Sequence, residues 1–134
     1  MIRFLYLLAF IGFSTIAGNK ENAYSEDCFE KKVTDETYIC ISDKKYSLED
    51  EYNNTFKKLL INVKKNKKYV MNYSELKKGL MQTKIIWDKF VESECLMEAN
   101  VYEKDTKFYE SVYNSCLIKR YSERINYYNH LEFM

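Results

Sequence analysis

Proline is absent from this chain of 134 residues, glycine occurs three times, and histidine and tryptophan occur once each. Two of the glycines, Gly12 and Gly18, stand near the N-terminus. The remainder has almost nothing to break a helix, so long uninterrupted elements are expected. An excess of either charge is also missing: 21 Lys and Arg face 20 Asp and Glu, for a net charge of +1. A globally basic nucleic-acid binder is therefore not indicated. Metal chemistry lacks its usual spacing, because the cysteines form no CxxC pair and His130 lies well past the last of them, Cys116. No cofactor is read. Catalytic signatures are missing as well: there is no nucleophile elbow and no glycine-rich loop. Carboxylate pairs such as Glu92 with Glu94, or Glu49 with Asp50, are too close in sequence to face each other on a helix. No catalytic residue is assigned, and the chain is read as not an enzyme.

One long apolar run is present, at the start. "MIRFLYLLAFIGFSTIAGNKENA" has Arg3, an apolar stretch from Phe4 to Phe13, then the small residues Ser14, Thr15, Ala17 and Gly18. This is the pattern of a secretory signal peptide over residues 1–18, removed from a single mature domain over residues 19–134. The run is shorter than the roughly 20 residues a membrane anchor needs. No cysteine stands at the junction to carry a lipid. A periplasmic or secreted bacterial protein is expected, with no stable membrane insertion once the signal is gone.

In an exported chain the four cysteines, Cys28, Cys40, Cys95 and Cys116, read as two disulfides. Apolar periodicity then places three helices. The first runs from about Thr34 to Val63, with Tyr38, Ile41, Lys45, Leu48, Tyr52, Thr55, Leu59 and Val63 on one stripe and Phe56 beside it. The second carries Leu76, Leu80, Thr83, Trp87, Phe90 and Glu94, widened by Ile86 and Val91, with Ser74 as its cap. The third carries Tyr109, Val112, Tyr113, Cys116, Leu117, Tyr121, Arg124, Tyr128 and Leu131. Polar connections, "KKNKKYVMNY" and "EANVYEKDTK", join them. The expected fold is all-α: a three-helix antiparallel, up-down-up bundle with two disulfides. Pairing Cys28 with Cys40 and Cys95 with Cys116 closes two short segments and is preferred; the crossed pairing of Cys40 with Cys95 stays open.

Up-down-up topology separates the charges in space. Residues 52 to 74 contain Lys57, Lys58, Lys64, Lys65, Lys67 and Lys68 and no acid. These fall at one pole. Glu92, Glu94, Glu98, Glu103, Asp105 and Glu110 fall toward the other. Arg124, on the inner stripe, is expected to bury its stem and pair with Glu49, Glu94 or Glu123.

Four segments in order resemble the exported family named after the LprI lysozyme inhibitor, over residues 27 to about 131. "DCFEKKVTDETYIC" is similar to its opening cysteine pair, and "YNNTF" to its Leu-Asn-x-x-Tyr step, with Asn53 retained between Tyr52 and Phe56. "LMQTKIIWDKFVESEC" resembles its Leu-Trp-Cys helix at Leu80, Trp87, Phe90, Glu94 and Cys95. "CLIKRYSER" matches its closing motif through Cys116, Leu117 and Arg124. The chain departs from the pattern in three places. Val91 and Glu92 replace an Arg-Asp pair, Lys84 replaces a Gln, and "VYEKDTKFY" replaces a glycine-rich loop. The resemblance implies a small binding protein that occludes lysozyme or another muramidase. Lysozymes of the common type are basic, so the acidic pole is the expected partner surface. The alternative is an envelope interaction module whose lysine pole binds anionic glycan or lipid.

Overall fold

The computed structural model describes residue 28 and residues 34–131; the expected signal peptide lies outside the described residues. Helix α1 spans Thr34–Lys65, α2 Tyr73–Ala99 and α3 Lys107–Asn129, with a single 3-10 turn, Lys67–Tyr69, between the first two. Among the described residues there is no strand. The three helices form the expected up-down-up bundle. Both disulfides follow the preferred pairing, Cys28 to Cys40 and Cys95 to Cys116, with Cα separations of 5.6 and 5.5 Å. Each contributes about 3 kcal/mol by restricting the unfolded chain.

Helix α1 holds Asp35 and Glu36 in its first turn and Lys64 and Lys65 in its last, so its charges complement the helix dipole at both ends. Helix α2 begins differently from expectation. Its N-cap is Asn72, which makes no side-chain cap bond, and Ser74 falls inside the first turn. Helix α3 is capped by Thr106, whose Oγ1 accepts a hydrogen bond from the Tyr109 amide at 3.1 Å and donates to the Glu103 carbonyl at 2.8 Å. The residue before that cap, Asp105, has φ 62°. Aspartate is among the few side chains that tolerate this left-handed backbone, so the turn forms without glycine.

Helix α3 is the centre of the assembly. Helices α1 and α2 each lie against it and scarcely touch each other. It therefore buries two stripes. Ile118, Ile125 and Tyr128 join Ile41, Leu48, Tyr52, Phe56 and Leu59 of α1 in the main core, while Cys116 and Leu117 join Val91 and Cys95 of α2 in a smaller one. A single stripe read from sequence passed over Ile118 and Ile125, because an outer helix needs one buried face and a central helix needs two.

Tyr52 is the hub of the aromatic core. Its ring centroid lies 5.1 Å from Trp87, 5.2 Å from Tyr121 and 5.9 Å from Tyr128, and Phe56 reaches Tyr128 at 5.4 Å. Contacts of this kind each add about 0.5–1.5 kcal/mol beyond area burial. Trp87 and Leu80 are half-buried against this cluster.

Three expected inner-stripe positions on α2 are corrected: Thr83, Ile86 and Phe90 are all exposed. Phe90 is 60% exposed and Ile86 68% exposed, while Val91 is fully buried. Covered mainly by α3, with α1 reaching it only around Leu80, Trp87 and Asp88, α2 presents a narrow inner stripe. That stripe passes through Val91, Cys95 and Ala99, leaving Phe90 on the solvent side. Arg124 is corrected as well. Its guanidinium lies 4.7 to 5.2 Å from the ring centroids of Tyr127, Tyr128 and Trp87, and it pairs with none of the three expected acids. The arginine one turn earlier takes two of them. Arg120 reaches Glu94 at 2.8 Å and Glu123 at 3.1 Å, while Glu49 is held by Lys45 at 3.2 Å. Arg124 is thus held by ring faces.

Candidate functional site

The two poles are separated by the length of the helices, roughly 40 Å for the 27 residues of α2. Starts of α1 and α3 meet at one end. There Lys107 Nζ lies 2.7 Å from Asp35, and the Tyr38 hydroxyl donates to Glu110. This hydrogen bond, and the nearby carboxylate charge, raise the Tyr38 pKa above its ordinary value.

Not all six acids of the expected pole gather there. Glu98, Glu103, Asp105 and Glu110 stand on the α2–α3 turn and its flanks, all exposed. Glu94 is drawn inward by Arg120, and Glu92 points into a cleft between α1 and α2. The α2–α3 end also carries side chains that the charge pattern did not reveal. Met97 is 65% exposed, Val101 77% and Phe108 57%. Tyr102 and Phe108 meet edge to face, with centroids 4.6 Å apart across the turn. Glu98 shares a shallow hollow with Phe108, Val112 and Cys116. The Cys95–Cys116 disulfide lies directly behind this surface and fixes the end of α2 to α3. Apolar residues in "LMEANVYEKDTKF" were legible as isolated letters; their convergence depends on the Asp105 turn.

At the opposite end, Lys57, Lys58, Lys64, Lys65, Lys67 and Lys68 are all exposed. Lys68 Nζ sits 4.6 Å from the ring of Tyr69, and Tyr69 and Met71 project into solvent beside the lysines.

Between the poles, the gap left by the weak α1–α2 contact is a cleft of about 340 Å³, floored by α3. Its walls follow steps of four residues: Lys45, Glu49 and Asn53 along α1, and Lys84, Asp88 and Glu92 along α2. Tyr113, Leu117 and Tyr121 form the floor, again four residues apart. Tyr52 ties the walls together. Its hydroxyl donates to Asp88 at 2.6 Å, and Lys84 reaches the same carboxylate at 2.8 Å while lying 4.5 Å from the Tyr52 ring. Burial, then the bond to Asp88, raises the Tyr52 pKa well above the ordinary tyrosine value. Burial followed by the Glu92 and Glu49 charges raises that of Tyr113, and burial followed by Glu49 raises that of Tyr121. All three hydroxyls stay protonated and can donate. Asn53 of the Leu-Asn-x-x-Tyr-like step binds the Glu49 carbonyl at 3.0 Å, a local tie within α1. The sequence signal for this cleft was the pair of Lys-to-acid steps, Lys45 to Glu49 and Lys84 to Asp88, flanking apolar stripes.

Among the described residues no helix is long and apolar enough to cross a membrane. No curated protein and no solved structure matches the chain. A family model described as "Lysozyme inhibitor LprI" matches residues 27–127, which include both disulfides and nearly all of the three helices. The chain belongs to the LprI lysozyme inhibitor family.

Proposed function

We propose that the protein is an exported inhibitor of lysozyme or a related muramidase, docking by its α2–α3 end and occluding the partner's substrate cleft. Family membership supplies the class of activity. The observation that carries the choice of surface is the Tyr102–Phe108 pair, exposed and braced edge to face amid Glu98, Glu103, Asp105 and Glu110. Aromatic anchors surrounded by a polar rim are the arrangement in which interface energy concentrates. The rim acids attract a basic partner and speed its encounter, while the aromatics supply desolvated contact once it arrives. A disulfide behind the surface limits the ordering cost of binding. Two cystines in the described chain fit an oxidising compartment, in keeping with export to the periplasm or beyond.

Lysis of a susceptible cell suspension by a basic lysozyme, followed by turbidity, tests this reading. Mature protein slows lysis, and the double variant Tyr102→Ala/Phe108→Ala loses at least about tenfold in potency, the scale of one interface hot spot. Undiminished lysis at large molar excess of wild-type protein against a panel of muramidases rejects it.

A second reading rests on Tyr69 and Met71, which project among the six lysines as membrane-surface segments do. Under it, the lysine end binds anionic lipid or glycan. Sedimentation with anionic vesicles across a salt series tests this: binding through the lysines collapses as salt rises. Retention that is indifferent to changing Lys64, Lys65, Lys67 and Lys68 to Ser excludes the lysine end.

A further inference from the structure

The cleft along the α1–α2 seam lies away from the proposed docking end, and the chemistry of its lining defines a different kind of ligand. Two ammonium groups and three carboxylates line one groove. A small cation entering it meets Lys45 and Lys84; a small anion meets Glu49, Asp88 and Glu92. Lys45 is paired with Glu49 and Lys84 with Asp88, so the charges largely cancel and only Glu92 leaves a single negative charge, a weak bias toward a cation. The lysines are the more deeply set, with side chains 12% and 19% exposed, whereas their partners Glu49 and Asp88 are 40% and 41% exposed. Each carboxylate is more open to solvent than the ammonium that holds it and keeps acceptor capacity to spare. Glu92 makes no ion pair among the described residues. Tyr113 and Tyr121 make no hydrogen bond there either, and both remain protonated donors. The cleft thus offers both donors and acceptors above a floor of Tyr113, Leu117 and Tyr121.

We infer that this cleft binds a neutral saccharide of one or two rings. Sugar hydroxyls both donate and accept, so one molecule satisfies neighbouring carboxylates and phenols without bringing charge. Its C–H face can pack against the tyrosine side chains of the floor. The volume, about 340 Å³, is at the lower end of small-molecule sites and suits a disaccharide at most. Lys84 positions the site from behind: it fixes Asp88, which in turn fixes Tyr52, the link between the two walls.

Trp87 is an internal reporter, since it is the sole tryptophan and lies 5.1 Å from Tyr52 and 6.2 Å from Tyr121. Titration of the mature protein with maltose, cellobiose and diacetylchitobiose, followed by Trp87 fluorescence and by amide chemical shifts, tests the inference. At least one of these saturates with Kd of about 1 mM or tighter, moving amides of residues 45–53, 84–92 and 113–121. Glu92→Gln weakens that sugar about tenfold and Tyr113→Phe roughly fivefold, the cost of one charged and one neutral hydrogen bond. The solvent-facing variant Phe90→Ala binds as wild type. No saturation by any of the sugars, equal binding by both cleft variants, or preferential binding of arginine amide or citrate overturns it. Failure here is separable from failure of lysozyme inhibition, because the Tyr102→Ala/Phe108→Ala protein still binds the sugar and Glu92→Gln still inhibits.

Discussion

The seam between α1 and α3 is closed and aromatic, whereas the seam between α1 and α2 is open and lined with charge. Both are built on the same helix, α3, and both involve Tyr52. On the closed side its ring stacks on the buried Tyr128; it also stacks on Tyr121, which reaches the cleft floor. On the open side its hydroxyl donates to Asp88, which Lys84 also holds, and so adds a polar link between the two walls. Tyr52 thereby joins aromatic packing to a charged, solvent-facing seam. A bundle with three equal seams would bury Lys45, Glu49, Lys84 and Asp88 at heavy desolvation cost; leaving one seam open lets these groups stay partly hydrated.

Substitutions that act on one seam and not the other give a graded test. Tyr52→Ala removes the hub and produces the largest effect, a loss of about 3–5 kcal/mol in urea unfolding, typical of emptying a buried aromatic site. Next is the Cys95→Ser/Cys116→Ser protein, less stable by about 3 kcal/mol. Its α2–α3 end also loosens, so inhibition weakens together with stability. Tyr52→Phe keeps the stack and deletes only the bond to Asp88, costing about 1 kcal/mol. A loss as large as that of Tyr52→Ala would mean that the open seam, not the closed one, holds the bundle together.

Alkaline pH probes the same residues. Tyr52 and Tyr121 have folded-state pKa values raised above the ordinary 10.0, with burial the first cause in each. The unfolded chain therefore loses these protons first. Their contribution is complete below pH 10 and is lost progressively as pH rises above it. Unfolding midpoints measured between pH 8 and 12 fall from about pH 10 upward, and Tyr52→Phe shows a shallower decline. Smallest of all is Phe90→Ala, within about 0.5 kcal/mol of wild type because the ring faces solvent.

Helix existence and topology were legible because they rest on an uninterrupted apolar period and polar connections. All four cysteines fall near one end, so pairing Cys28 with Cys40 and Cys95 with Cys116 was a preference for short closures, which the structure bears out. The α1 stripe from Ile41 through Val63 matches the buried set residue for residue at Ile41, Leu48, Tyr52, Thr55, Leu59 and Val63. Helix α2 was less legible, since Phe90 and Val91 are adjacent and both apolar. Which one faces inward depends on how far α1 leaves α2 uncovered, a property of the assembly. Arg124 was misread for a related reason. One stripe holds Arg120 and Arg124 a turn apart, and sequence alone does not say which reaches Glu94 and which meets the rings of Trp87, Tyr127 and Tyr128. The acidic end was legible as charge and illegible as a surface, because the Tyr102–Phe108 contact needs the left-handed turn at Asp105. The open cleft could be inferred only after α3 was known to be central.

Under the proposed function, a basic muramidase docks at the α2–α3 end. Inhibition of lysis, measured side by side for wild type, for Glu98→Gln/Glu103→Gln/Asp105→Asn and for Lys64→Ser/Lys65→Ser/Lys67→Ser/Lys68→Ser at low and moderate salt, tests it most directly. Neutralising the acidic end weakens inhibition about tenfold at low salt and flattens its salt dependence, while the lysine variant inhibits as wild type. Full inhibition by the acidic-end variant, or its loss in the lysine variant, would contradict the assignment.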